Sequence, residues 1–394
     1  MNQSLISLQK ISGKPVRTIL GLMSGTSADG LDMALVEISG FGLETSVNLV
    51  EYSSIAYPEY VADWLSSLLF DGDATQERVL RLQSELEDVW VSTISRQLND
   101  WGVSSEEVDL IASHGQTVLH VPSEESHRAA TWQLIDGDYL ATKTGVITIT
   151  DFRKKHIAAG FDGAPLAPLG ERLLVDDEHT PCVLLNLGGI ANITYLENSG
   201  GRATLPFSTD TGPANTLIDA AVKHYFPGKT YDEFGNLAAK GTVQGDLLEK
   251  LKTHPFFQKT SPKSTGPEEF SFGWVQSLLN ERGEEYSAED LVATLTRFSA
   301  WSVAREISQQ IGDHKMNIYV SGGGVHNKTL MEMIGAELPG CRVLTSDALG
   351  IPSDAKEAIL FAVFANELVA GSGWQKPDGS WFTLGKISFP ELPI

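Results

Sequence analysis

Apolar and polar residues alternate from Ile19 to Ile38, interrupted by the small-residue run Ser24-Gly25-Thr26-Ser27-Ala28-Asp29-Gly30. The pattern predicts a β-hairpin with a glycine tip, Leu31, Met33 and Leu35 sharing one face of its second arm. Val47 to Ala56 predicts a third strand, after a loose start over Met1 to Lys14. The period then changes. Tyr60 to Leu69 and Thr75 to Trp101 carry apolar residues at helical spacing, with Val79, Leu82, Leu86, Val89 and Trp90 on one side. Val108 to Ala112 predicts a short buried strand ending in Ser113-His114-Gly115-Gln116-Thr117, and Gly145 to Thr150 another, running into Asp151-Phe152-Arg153.

The second half repeats the design. Cys182 to Leu187 predicts a strand, Gly188-Gly189 a tight turn, and Ile190 to Leu196, with Asn192, the returning strand. Two glycine-tipped hairpins at the heads of two halves suggest duplication. Phe207 to Asp219 carries Asp210 ahead of Gly212-Pro213 and a helix from about Asn215 to Tyr225. Tyr231 to Gly241 predicts turns, and His254 to Glu269, with three prolines, predicts a loop suited to wall or cover a site. Asp290 to Ile311 predicts a long amphipathic helix, Met316 to Val320 a buried strand ending in Ser321-Gly322-Gly323-Gly324, and Ala355 to Val369 a last helix with Glu357 in its first turn.

Length and composition fit two packed domains: 394 residues, 42% of them apolar. Charge narrows the partners. With 29 basic and 51 acidic residues the formal net charge is −22, which opposes nucleic acid and anionic membranes and leaves an anionic nucleotide to be received by local amides. Cys182 and Cys341 have no metal-ligand spacing and predict reduced core thiols without a disulfide. No signal-peptide core and no apolar run near the ~20 residues that span a bilayer is present, so a cytoplasmic protein is expected.

The candidate chemistry follows from the strand ends and turns. Gly25 and Gly30 permit close backbone approach, Ser24, Thr26 and Ser27 offer amides and hydroxyls to phosphate, and Asp29 and Asp32 are suited to Mg²⁺, directly or through water. A Walker A loop is excluded, because no Gly-Lys-Ser/Thr leads into a helix. Gly188-Gly189 offers a second approach to the phosphates of one nucleotide. His114, Gln116 and Thr117 stand where an open α/β sheet collects its ligand. Arg153 suits either a carboxylate, sugar hydroxyl or phosphate, or an ion pair with a neighbouring acid. Asp210 reads as a general base or as an N-cap of the following helix, Glu357 as a complement to its helix dipole, and Gly322, Gly323 and Gly324 as room for a base or ribose.

Taken together, Gly21-Leu22-Met23-Ser24-Gly25-Thr26-Ser27 with Asp29, His114-Gly115-Gln116-Thr117, Asp151-Phe152-Arg153, Asn186-Leu187-Gly188-Gly189-Ile190-Ala191-Asn192, Asp210-Thr211-Gly212-Pro213 and Ser321-Gly322-Gly323-Gly324 resemble the anhydro-N-acetylmuramic acid kinases, in order from about Ile19 to Lys386. The resemblance implies the two-domain α/β fold of the sugar kinase, Hsp70 and actin superfamily (ribonuclease H-like), with an interdomain cleft. The expected division is 1–178, with 366–394 packing back on it, and 179–365. It also implies a reaction: ATP and Mg²⁺ are used to open the 1,6-anhydro ring with water and phosphorylate O6, giving N-acetylmuramic acid 6-phosphate for cell-wall recycling.

Carried onto this chain, the ATP phosphate loop is Gly25, Thr26, Ser27, Ala28, Asp29, Gly30, Leu31 and Asp32, with Asp29 toward the metal. Gly188, Gly189, Asn192 and the triple glycine complete the nucleotide side, while His114, Gln116, Thr117, Arg153 and Asp210 meet the sugar. Asp210 activates the water and Glu357 is a second active-site carboxylate. Many members have Gly-Gln at Phe161-Asp162, Gly at Ala214 and Arg at Pro267. An acidic Asp162 near a lactyl carboxylate is unfavourable unless it is paired or turned away. Levoglucosan, a 1,6-anhydro sugar without the N-acetyl and lactyl groups, is the alternative substrate, and a nucleotide-dependent regulator or actin-like assembly protein the alternative of a different class. Oligomeric state stays open, a homodimer included.

Overall fold

A computed structural model describes residues 3–25, 30–70, 75–198, 207–266, 268–280, 286–312, 314–376 and 378–391. The described residues cluster into two compact units, the first within Met1–Asp176 and Ala355–Ile394, the second within Asp177–Gly200 and Pro206–Asp354. The crossing back to the first unit comes at Ala355, so the whole last helix belongs there, where the sequence suggested a return only from 366.

In the first unit β1 (Val16–Ser24), β2 (Gly30–Ser39) and β3 (Ser46–Ala56) form an antiparallel meander. β4 (Leu110–Val121) runs parallel to β1, β5 (Ala130–Leu134) pairs with β4, and β6 (Thr148–Thr150) lies parallel to β4. The C-terminal strand Lys386–Ser388 closes the edge antiparallel to β6. Helices Glu59–Phe70 and Gln76–Asp100 cover one face, burying Val61, Leu65, Leu82, Leu86 and Trp90 against Leu20, Leu22 and Met33. The helix Lys356–Val369 packs against β1, β2 and β4. Gly21 permits that approach: a Cβ there would stand 2.0 Å from the Ala358 carbonyl oxygen.

The second unit repeats the scheme with β7 (Cys182–Leu187), β8 (Ile190–Leu196) and β9 (Phe207–Pro213) as the meander and β10 (Asn317–Ser321) and β11 (Arg342–Thr345) as the parallel pair. Among the described strands the order is β3-β2-β1-β4-β6 in one unit and β9-β8-β7-β10-β11 in the other. The same order twice is the topological form of the duplication suggested by the two hairpins. The long helix Ala288–Ile311, capped by the Ser287 hydroxyl, runs through this unit with Leu295, Phe298 and Val303 fully buried.

Four readings of the sequence need correction. Gln3–Ser12 is a helix, with Ile11 buried, where a loose segment was expected. Gly145 is not strand but the left-handed cap of the helix Gly137–Thr144, and β6 keeps only its last three residues, whose side chains are all buried. β4 does not stop at Ala112. It carries a bulge at Gly115, whose φ of +82° lets the strand leave β1 and continue along β5. Finally, Cys341 is only partly buried, whereas Cys182 is a free core thiol as expected. No described helix is long and apolar enough to cross a membrane.

Candidate active site

The phosphate-loop candidates begin where β1 ends. Thr26, Ser27, Ala28 and Asp29 lie outside the described residues; Gly25, Gly30, Leu31 and Asp32 are within them. A buried hydrogen-bond chain fixes the point where β1 gives way to the loop. The Trp90 Nε1–H donates to the Tyr57 hydroxyl at 3.0 Å, which donates to Ser24 Oγ at 2.7 Å. Ser24 Oγ lies 2.5 Å from Gln116 Oε1, and Gln116 Nε2 donates to the Gly25 carbonyl at 3.1 Å. Gln116 is fully buried and its amide is spent on Ser24, Gly25 and Thr117. It is thus placed to hold the Gly25 carbonyl at the end of β1. Thr117 stays half-buried and accepts from Gln133. Gly30 serves strand pairing, because a Cβ would meet Ile55 O at 2.6 Å. Asp32 accepts from the Tyr52 hydroxyl at 3.1 Å.

His114 is buried, and burial followed by the Arg153 charge holds its imidazole well below the usual histidine range. A neutral ring has one donor and one acceptor. Nδ1–H faces Gly115 O at 2.8 Å, so Nε2 accepts from Arg153 Nε at 2.8 Å. His114 therefore aims Arg153 and is not itself open to ligand. Arg153 also feels Glu357, and burial lowers its pKa without removing a charge that guanidinium keeps in proteins. Surrounding protein pushes the Glu357 carboxyl above the ordinary range; Lys356 and Arg153 oppose the rise, and Asp32 and Glu171 add to it. By surface area the Glu357 side chain is open to solvent, so water weakens the burial effect and its charged neighbours define it. Lys356, itself buried, is paired with Glu171 at 2.5 Å. Exposed Asp162 accepts from the Ser123 hydroxyl at 2.5 Å, a neutral donor that leaves its charge in place.

In the second unit Asp210 lies within β9, directly across from Asn192 of β8 beside a bulge. It caps nothing: the helix Thr216–Tyr225 begins after Asn215, five positions on, without a side-chain cap. Its Oδ2 accepts from the Thr265 amide at 2.9 Å and the Ser264 hydroxyl at 3.0 Å. No described donor bonds Oδ1. Burial raises the carboxyl above the usual aspartate range, and the two donors partly offset this. A carboxylate with one oxygen pinned and the other free, its basicity raised, has the form of a general base.

The second glycine hairpin is laced by Asn215, whose Nδ2 donates to Leu187 O at 3.1 Å and Gly188 O at 2.8 Å. A Cβ on Gly322 would meet Asn186 Oδ1 at 2.7 Å, and one on Gly324 would meet Leu187 Cβ at 2.5 Å. Those two glycines allow close contact with the hairpin; Gly323 alone faces open space. Gly323 borders a cavity of about 410 Å³ with Asn215, Asp219, Tyr231, Phe234 and His326, all within this unit. Phe234 is held at φ +56° with its ring half exposed, and Asp219 is pushed up to about 6 by burial, with Asp232 adding and Lys223 opposing.

Tyr57, Trp90, Asn215, Tyr231 and Phe234 carry no signal of a site role of their own in the sequence, and Ser264 and Thr265 fall in the loop His254 to Glu269, marked as a wall or cover without either residue being singled out. Only Asn215 stood beside a motif that could have revealed it. The others act through folding: Ser264 and Thr265 lie 54 and 55 residues from the carboxylate they hold.

A family model described as anhydro-N-acetylmuramic acid kinase matches residues 17–379. Proteins named anhydro-N-acetylmuramic acid kinase are 39% identical in Pseudoalteromonas atlantica, covering 99% of this chain and 100% of that one, and 37% identical in Caldanaerobacter subterraneus, covering 97% and 99%. One from Bacillus cereus is 33% identical over 95% of this chain and 100% of its own. By near full-length likeness to these relatives, carried on a fold whose two units share one strand order, the chain belongs to the anhydro-N-acetylmuramic acid kinase family.

Proposed function

We propose that this protein is an ATP-dependent kinase that opens 1,6-anhydro-N-acetylmuramic acid with water and phosphorylates O6, releasing ADP and N-acetylmuramic acid 6-phosphate for cell-wall recycling in the cytoplasm. The observation that carries the chemistry is the Asp210 carboxylate, whose Oδ2 is fixed by Ser264 and Thr265 while no donor among the described residues bonds Oδ1. In this reading Oδ1 takes a proton from a water attacking the anomeric carbon. The bond from that carbon to O6 breaks, O6 attacks the γ-phosphorus, and ADP departs with the electron pair. Catalysis of such a transfer rests on position and charge stabilisation.

Arg153, aimed by neutral His114, supplies a planar fork for the lactyl carboxylate. Gly25, whose carbonyl is held by Gln116, begins the stretch read as receiving the ATP phosphates, and within the second unit the cavity beside Gly323 has room for adenosine. Phe234 and Tyr231 supply exposed aromatic surface there for the base. Asp32 suits Mg²⁺ bound largely by phosphate and water: among the described residues no group of three ligating side chains forms a cage. The ion would offset charge on the transferring phosphoryl group.

The choice of sugar is tested by ADP release with Mg-ATP and either 1,6-anhydro-N-acetylmuramic acid or levoglucosan. Higher kcat/KM on the muramic sugar is expected. A value at least tenfold higher on levoglucosan, about 1.4 kcal/mol of discrimination, would assign the smaller substrate instead.

A further inference from the structure

The segment that holds Asp210 is tied down by charges the proposed reaction does not use. The Lys263 and Glu306 side chains are 3% and 1% exposed, and Nζ lies 2.9 Å from Oε2. The contact is close but not aligned as a hydrogen bond, so it acts as an ion pair. The Ser261 hydroxyl lies 2.5 Å from Glu306 Oε1 and Gln310 Nε2 donates to the same oxygen at 3.0 Å. Lys263 Nζ also sits 4.7 Å from the centre of the Phe256 ring. The Lys263 backbone completes the clamp: its amide donates to Thr209 Oγ1 at 2.9 Å, and its carbonyl accepts from the Asp210 amide at 3.0 Å. The next two residues are the donors to Asp210 Oδ2.

A buried ion pair is a poor device for stability, because desolvation offsets its attraction and an apolar pair of similar volume is often as good. What it fixes well is position. We propose that Lys263 and Glu306 are positioning residues for Asp210: the pair locks 261–265 against β9 and the helix Ala288–Ile311, so that Ser264 and Thr265 keep the carboxylate oriented and ionised. This rests on the reading of Asp210 as the base. Burial raises Asp210 and only the two donors lower it, no charged side chain contributing. Loosening the donors therefore raises its pKa further.

The test compares wild type, Lys263→Met/Glu306→Met, Glu306→Gln and Asp210→Asn in the full chain. The double variant replaces the pair with apolar chains and is expected to melt close to wild type. Its kcat is expected to fall on the order of 10²-fold, as for a misplaced catalytic group, while KM for ATP stays within about twofold. The acid limb of its pH–rate profile is expected to move to higher pH. Glu306→Gln keeps an acceptor for Ser261 and Gln310 but leaves the Lys263 ammonium without its counter-charge, so it is expected to melt below wild type and to lose kcat as the double variant does. If the double variant does not fold, a Glu306→Gln enzyme with wild-type kcat and an unmoved acid limb overturns the inference. A fast double variant beside a slow Asp210→Asn overturns the positioning role alone; a fast Asp210→Asn overturns the reading beneath it as well.

Discussion

Asp210→Asn is expected to lower turnover by about 10² to 10⁴-fold while leaving the fold intact. Asn keeps an oxygen for the Thr265 amide and the Ser264 hydroxyl, so the clamp survives. What is lost is the basic Oδ1. Stability should not fall. The folded carboxyl has a raised pKa, so its favourable contribution is complete below the unfolded value near 3.9 and is lost as pH rises through the folded one. At pH 7 wild type carries the cost of a buried charge, which Asn removes. Thermal melts at pH 7 paired with steady-state kinetics separate the possibilities: a slow variant melting at or above wild type fits a base, whereas near-wild-type turnover does not.

The second large effect is structural. Gly21→Ala puts a Cβ 2.0 Å from the Ala358 carbonyl oxygen, backbone against backbone, and the helix that carries Glu357 must lift off β1. A cost on the order of 4 kcal/mol is expected, which lowers Tm by roughly 8–16 °C for a unit of this size. Gly323→Ala is the control. Its Cβ meets nothing within 4 Å, and its melt should match wild type. Equal melts for the two variants would refute the close helix packing.

These two glycines show what a sequence can and cannot disclose. The hairpins, the helical stripes and the buried strands follow from local periodicity, but the order of the strands in each sheet, set by the parallel pairings of β4 with β1 and β10 with β7, does not. Nor does the reason a glycine stands where it does. Gly322 and Gly324 read like Gly323 along the chain, but two of the three are required by Leu187 and Asn186, residues more than 130 positions away. The same limit applies to polar side chains. Gln116 and His114 sit in a motif that suggests ligand contact, yet folding buries both behind Ser24 and Arg153. Asp210 was legible as one of two alternatives, and the structure removes the cap. Glu306 left a faint trace: a glutamate between Val303 and Ile307 on the apolar stripe of a long helix is a charge that must find a partner inside. Which partner it finds depends on the distant loop at Ser261 and Lys263.

Mass analysis of the sugar product tests the coupling of ring opening to phosphorylation directly. Purified protein, Mg-ATP and 1,6-anhydro-N-acetylmuramic acid are mixed in ¹⁸O-water and quenched before the anomeric hydroxyl exchanges. The predicted product carries one added water and one phosphoryl group, with ¹⁸O at the anomeric carbon and ordinary oxygen at O6. A phosphorylated sugar with its anhydro ring intact, or ¹⁸O at the phosphate ester instead of the anomeric carbon, would contradict water attack at that carbon and the role given to Asp210.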